Sequence, residues 1–292
     1  MNEPRLRQVQ CLDPRGLHRM AYWEWGDAHN PRVLVCVHGL SRQGRDFDTL
    51  ARDLCSHYRV ICPDVVGRGR SDWLVDAMGY GLPMYVADMV TLLARLDTEA
   101  VDWVGTSMGG LIGLALAALE RSPIRQLVLN DVGPVVQPAF VQRLSTYLGV
   151  PVRWPTVDAA ADALQAISSG FGPHTRDEWL TLTRPQLVAD ELDGQPGFKP
   201  HYDPAIAVAV RAMTPAIAAA GQAMLWQMYD RIAARTLLLR GEQSDLLDAE
   251  TAQLMSQRGP RAAVHTFAGV GHAPTLVAAE QRAAVRRFLI GP

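Results

Sequence analysis

The chain has 292 residues, 48% of them apolar, enough to bury a full core as one α/β domain carrying an insertion. A formal net charge of −2 gives no global field to recruit nucleic acid or an anionic membrane, so neither partner is expected. The N-terminal stretch has no apolar core of signal-peptide length, and the most apolar long run, Ala205 to Ala220, is broken by Arg211 and Pro215, so neither export by that route nor a membrane span is expected.

Arg5–Gln10 and Leu17–Trp25 alternate polar and apolar residues about a turn at Asp13–Gly16, which reads as a hairpin on the antiparallel edge of a sheet. Val33–Val37 is a continuous apolar run, the mark of a strand covered on both faces, and it leads into His38-Gly39-Leu40-Ser41. Asp46–Leu54 reads as a short helix, and Arg59–Cys62 as the next strand, ending at Pro63-Asp64. A glycine-rich loop follows from Asp64 to Asp72, then a helix over Pro83–Leu96 with its proline in the first turn. Val101, Trp103 and Val104 end a buried strand, Gly105-Thr106-Ser107-Met108-Gly109 makes a tight turn, and Leu111 to Leu116 continues as a buried helix. Gln126–Asn130 is another buried strand, ending at Asp131-Val132-Gly133-Pro134. This alternation predicts a parallel, doubly wound sheet.

The rhythm breaks over residues 133–232. Helical patterns occur at Phe140–Leu148, Asp158–Ile167, Asp177–Ala189 and Ala216–Tyr229, joined by connections such as Gly194–Gly197, and no strand is evident. The expected organisation is a core of 1–132 and 233–292 with a helical insertion at 133–232, whose expected job is a lid over a pocket. The sheet resumes at Thr236–Arg240, followed by Gly241–Asp245, a helix over Ala249–Gln257, a last strand over Ala262–Phe267, and Gly269-Val270-Gly271-His272 before a closing helix. Cys11, Cys36, Cys55 and Cys62 lack metal-ligand or redox spacing, so reduced thiols, no metal and a cytoplasmic location are expected.

A G-x-S-x-G turn between strand and helix presents a serine hydroxyl clear of both elements, with glycines where a Cβ would collide. A serine at neutral pH needs a histidine to take its proton and a carboxylate to hold that histidine in the right tautomer. His272 follows the last strand and is the expected base; His18, His29, His57, His174, His201 and His265 lack a matching acid and read as surface or filler. For the acid, Asp245 after the strand that follows the insertion is expected from chain order, with Asp131 after the preceding strand as the alternative. Two backbone N–H groups should receive the oxyanion: that of Met108, and that of Leu40 after the Val33–Val37 strand. His38 reads as structural, holding the Gly39-Leu40 backbone in place.

On His38-Gly39, Gly105–Gly110 and Gly269–His272, together with the D-x-x-G-x-G-x-S segment from Asp64 to Ser71, the chain resembles the α/β-hydrolase fold superfamily outside the insertion. The resemblance implies a mostly parallel eight-stranded sheet with helices on both faces, a helical cap whose inner face shapes the substrate pocket, and no cofactor. Similar proteins include small-molecule esterases, lactonases and hydrolases of ring-cleavage products. Many of the last group carry asparagine or alanine before the nucleophile, where this chain has Thr106.

The leading expectation is a metal-free serine hydrolase acting on a small-molecule ester through an acyl-enzyme. A carbon–carbon hydrolase with the same triad is the alternative; Arg143, Arg153 or Arg184 on the cap would then matter. A ligand-binding or signalling protein on the same fold is the non-enzymatic reading. For Trp154, Trp179 and Trp226 the expected role is to fill the cap's own core, with lining the pocket as the alternative. Monomer and homodimer remain equal alternatives.

Overall fold

The computed structural model describes residues 3–192 and 194–291. Its strands are β1 (Arg5–Asp13), β2 (Gly16–Trp25), β3 (Val33–Val37), β4 (Arg59–Pro63), β5 (Val101–Thr106), β6 (Ile124–Asn130), β7 (Leu187–Leu192), β8 (Gln195–Pro200), β9 (Arg235–Gly241) and β10 (Ala263–Phe267). Eight of them form one sheet in the order β1-β2-β4-β3-β5-β6-β9-β10, while β7 pairs only with β8. Within the large sheet β2 alone runs against the others.

The helices are α1 (Asp48–Leu54), α2 (Leu82–Leu96), α3 (Met108–Ala117), α4 (Pro138–Tyr147), α5 (Val157–Ile167), α6 (Arg176–Thr183), α7 (Ile206–Arg211), α8 (Pro215–Tyr229), α9 (Ala249–Gln257) and α10 (Ala279–Ile290). Side chains alternate across a strand, so a strand buried on both faces feeds two cores. In β3, Val33, Val35 and Val37 pack with Met89 and Leu92 of α2 and Ile112 of α3. Leu34 and Cys36 pack on the other face with Leu50 and Leu54 of α1 and Val285 of α10. The continuous apolar run is thus the signature of a two-sided core. This is the α/β-hydrolase fold.

Between β6 and β9 the structure departs from the all-helical expectation. The helix expected over Asp177–Ala189 ends at Thr183, because Pro185 has no N–H to continue it. The chain then forms the antiparallel hairpin β7–β8, turning at Gly194 with φ of +72°. Two prolines in β8 hide the strand from a reading by composition; they are tolerated because a two-stranded ribbon consists only of edges. The hairpin's C-terminal end is bonded to the glycine-rich loop: Gly69 N–H donates to His201 O at 3.0 Å and Asp203 N–H to Gly67 O at 2.8 Å. Among the described residues, no helix is long and apolar enough to cross a membrane.

Candidate active site

β5 ends at Thr106 and α3 begins at Met108, leaving Ser107 alone at the corner with φ of 51° and ψ of −116°. This left-handed backbone is strained for a residue with a Cβ, and the surroundings hold it there. A Cβ on Gly109 would lie 2.0 Å from Val37 O, and one on Gly105 would lie 2.2 Å from Gly109 O. Strand, corner and helix therefore approach at a distance only glycine allows. Trp103 Nε1–H donates to Gly109 O at 3.0 Å, and Ser107 N–H to Asn130 O at 3.0 Å, tying the corner to the sheet below.

Ser107 Oγ lies 3.0 Å from His272 Nε2, and His272 Nδ1 lies 2.7 Å from Asp131 Oδ2. A carboxylate only accepts, so Nδ1 carries the proton and Nε2 is left as acceptor for the serine hydroxyl. Asp131 is fully buried, and its other bonds come from Gly241 N–H at 2.8 Å and Ser244 Oγ–H at 2.7 Å.

The residue brought to His272 is thus Asp131, not Asp245. Asp245 makes a two-point ion pair with Arg143 of α4, at 2.6 and 3.1 Å, and both side chains are 38% exposed. The geometric reason is the sheet order. β6 lies beside β5, so a residue just beyond β6 needs no loop to reach the serine corner. In the loop after β9 it is Ser244, one position earlier, that faces inward, and the side chain of Asp245 goes to the insert.

His38 is fully buried at the end of β3. Its Nε2 accepts from Val65 N–H at 3.0 Å, which requires a neutral ring and leaves Nδ1–H to donate to Gly39 O at 2.7 Å. Burial lowers its pKa to about 3; the Gly39 bond works against this, and the charges of Arg68 and Arg42 reinforce it. The peptide unit carrying Gly39 O also carries the Leu40 N–H, on its opposite edge. Holding that oxygen therefore aims the Leu40 N–H. A Cβ on Gly39 would sit 3.7 Å from Ser107 Cβ, so this loop lies directly beside the serine. Met108 is the first residue of α3 and has no intrahelical acceptor for its N–H. Among the described residues, neither N–H donates to another group.

Asn130 is a residue the sequence reading passed over. Its Nδ2 donates to Thr106 Oγ1 at 2.9 Å and to Pro274 O at 2.7 Å, joining the chain on either side of Ser107 and His272. An asparagine closing a strand carries no sequence signal for this; only the adjacency of β5 and β6 reveals it.

A cavity of about 440 Å³ opens on Ser107 and His272, with a mainly apolar wall from the insert that includes Leu144, Tyr147, Trp154, Ile167 and Phe171. Trp154 therefore lines the cavity instead of filling the insert's core, whereas Trp179 is buried there and stacks on Phe171 at 6.0 Å. Trp226 packs edge-on against Tyr229 at 5.8 Å. Of the three arginines singled out, Arg143 lines the cavity, Arg153 is bonded to Asp190 and Gln195 of the hairpin, and Arg184 is exposed and away from it.

Away from this cavity, Cys11, His18 and Asp88 meet in the core. His18 does have matching acids, with Nδ1 3.1 Å from Asp13 and Nε2 3.1 Å from both Asp88 oxygens. Each of these contacts is of hydrogen-bond length. Burial pushes the Cys11 thiol up to about 12. The group is a buried hydrogen-bonded clamp between β1, β2 and α2.

The sequence model of the alpha/beta hydrolase family matches residues 34–287. The chain belongs to this family. This hydrolase is 53% identical over 290 residues to a 3-hydroxybutyrate-oligomer hydrolase from Cupriavidus necator, covering 99% of this chain and 98% of that one. It is 28% identical over 258 residues to a 2-hydroxy-6-oxo-2,4-heptadienoate hydrolase from Pseudomonas putida, with 84% and 83% coverage. The crystal structure of an alpha/beta hydrolase from Novosphingobium aromaticivorans is similar to it with a TM-score of 0.85 and 36% identity, covering 100% of both chains.

Proposed function

We propose that this hydrolase cleaves carboxylic esters of small molecules through an acyl-enzyme, with Ser107 as nucleophile, His272 as general base and acid, and Asp131 as the residue that holds the histidine. The Ser107–His272–Asp131 relay carries the reading. Ser107 Oγ bonds the ester carbonyl carbon as its proton passes to His272 Nε2. The carbonyl oxygen becomes an oxyanion received by the N–H groups of Leu40 and Met108. Collapse breaks the bond to the alcohol oxygen, which takes the proton from His272. Water then repeats the cycle: His272 removes its proton, the hydroxyl bonds the acyl carbon, and collapse returns the proton to Ser107 Oγ and frees the acid. Asp131 stays ionised and stabilises the imidazolium.

For the substrate we propose short linear oligoesters of 3-hydroxy acids, supported by the Cupriavidus necator relative and by an apolar cavity suited to short aliphatic chains. The insert at 133–232 serves as the cap that supplies most of that wall. A cytoplasmic site of action is supported by the four free cysteines.

The carbon–carbon reading draws support from the Pseudomonas putida relative alone, since Arg143 at the cavity wall is already paired with Asp245. Two measurements test the proposal together: intact mass after fluorophosphonate treatment, and acid release from 3-hydroxybutyrate dimer and trimer. One adduct on Ser107, absent in Ser107→Ala, with oligomer hydrolysis is the expected result. An adduct with no ester turnover, but turnover of a vinylogous diketone acid, would favour the carbon–carbon reading.

A further inference from the structure

The loop Asp64–Ser71 is built to turn one charged side chain inward. Gly67 and Gly69 have φ of +86° and +53°, and a Cβ on them would meet Tyr80 at 2.6 Å and Asp64 at 2.4 Å. Asp64 accepts from Gly44 N–H and Arg70 N–H at 2.8 and 2.9 Å, while Ser71 Oγ donates to Asp64 O and accepts from Ala21 N–H. Between the two glycines stands Arg68, whose side chain is fully buried.

A buried guanidinium ordinarily pairs with a carboxylate, because an uncompensated charge in a low dielectric is costly. Among the described residues, Arg68 has no ion-pair partner. Its acceptors are neutral. Nε–H donates to Leu40 O at 2.8 Å, and Nη1 donates to Val66 O at 2.6 Å and Tyr85 Oη at 3.1 Å. Nη2 lies 3.6 Å from Met108 Sδ, and the guanidinium carbon is 5.0 Å from the Tyr85 ring centre and 5.7 Å from that of Tyr80.

Two of these contacts fall on Leu40 and Met108, the residues proposed above to receive the oxyanion. His38 grips the peptide before Leu40, Arg68 grips the carbonyl after it, and together they fix both planes flanking that residue. On the other side the Met108 thioether rests on the same cation.

We propose that Arg68 is a positioning residue of the oxyanion hole: it locks Leu40 and Met108 in place and sets an unneutralised positive charge behind the point where negative charge develops. This rests on the hydrolytic reading of Ser107 given above. An oxyanion stabilised by fixed donors in a water-poor site gains from any charge already oriented toward it. The same charge adds to burial in disfavouring a protonated His38 beside it.

The test compares wild type, Arg68→Met and Arg68→Lys in 4-nitrophenyl butyrate hydrolysis. It adds affinity for two inhibitors: a trifluoromethyl ketone, which forms an anionic tetrahedral adduct, and a neutral unreactive ketone of the same shape. With its folded state verified by circular dichroism, Arg68→Met should lose ~30-fold in kcat with KM within threefold, somewhat below the loss for removing a direct oxyanion donor. Trifluoromethyl ketone affinity should fall by the same factor while the neutral ketone is unaffected. Arg68→Lys, which keeps the charge but not the fork, should recover part of the loss. If the methionine variant does not fold, the lysine variant decides: a loss of ~10-fold in kcat at unchanged KM supports the assignment. A kcat within twofold of wild type in the folded variant, or equal weakening of both inhibitors, overturns it. A wild-type protein with neither turnover nor a fluorophosphonate adduct overturns the serine-hydrolase reading itself, and the Arg68 assignment with it.

Discussion

Asp131 Oδ2 lies 2.7 Å from His272 Nδ1 although 141 residues separate them, and the whole insert is spliced into that interval. The carboxylate comes from the residue just after β6, before the insert, and Asp245 in the loop after β9 is turned toward Arg143. Asp131→Asn should therefore lower kcat by ~10³-fold or more, because an amide no longer fixes the tautomer. Asp245→Asn should stay within about threefold on a short neutral ester, since a half-exposed ion pair is worth little. Steady-state kinetics of the two variants decide this, and reversed magnitudes would return the acid's role to Asp245.

Stability should carry a signature of His38. Its folded pKa is about 3 and its ordinary value 6.5, so between those limits the unfolded chain binds a proton that the folded chain refuses. Stability is then lost as pH falls through 6.5, by about 2 kcal/mol between pH 7 and pH 5. Asp64, raised to about 6 by burial, acts oppositely: folded protein takes up its proton first on acidification, which offsets part of the loss. His38→Gln removes the first contribution and keeps the second. Urea unfolding at pH 7 and pH 5 should show the variant losing about 2 kcal/mol less than wild type; parallel losses would mean that His38 titrates normally.

The two glycines after Ser107 should not respond alike. On Gly109 a Cβ would meet the Val37 carbonyl at 2.0 Å, while on Gly110 it would meet the Val132 side chain at 2.4 Å and the Gly105 carbonyl only at 3.0 Å. A side chain can move and a strand carbonyl cannot. Gly109→Ala should cost ~4 kcal/mol or more and Gly110→Ala about 1–3 kcal/mol, the range of core overpacking. Melting temperatures would give this order, and equal shifts would contradict the close approach of α3 to β3.

A control lies at the far end of β5. Asp102 is fully buried and accepts from Tyr58 Oη–H at 2.8 Å and from Arg125, and burial, reinforced by Asp102, raises the Tyr58 pKa. Tyr58→Phe should cost about 1–3 kcal/mol by leaving a charged acceptor short of a bond. Its kcat should be unchanged, because this end of the strand is opposite the serine corner. A large loss of activity would mean that strain travels along β5.

Much of this was legible in the sequence because the physics is local. β3 announces burial on both faces by an unbroken apolar run and β5 by Val101, Trp103 and Val104, and the corner at Ser107 announces itself by glycines that no other residue can replace. His272 was legible by its place after the last strand. What escaped depended on who neighbours whom. Asp131 and Asp245 both follow strands and both precede His272, and only the order β5-β6-β9 separates them. The β7–β8 hairpin escaped because its prolines and glycines mimic a loop. Trp154 escaped because an aromatic looks the same whether it faces a core or a cavity. Arg68 sat in a familiar loop pattern, and nothing in the sequence says whether an arginine between two glycines points outward to water or inward.

The insert and the loop bearing His272 are also physically joined. Gly271 N–H donates to Gly170 O at 2.6 Å, His174 Nε2 accepts from Thr275 Oγ1–H at 2.8 Å, and the Phe140 ring stands edge-on to His272 at 4.8 Å. The insert, whose Phe140 lines the cavity, thus shares backbone, side-chain and ring contacts with the loop of His272. Exchanging this segment for one from another relative would replace the cavity wall and remove the brace on the imidazole in one stroke. On the proposed function, substrate range and turnover are therefore mechanically linked, so a lineage or an engineer changing one must re-tune the other.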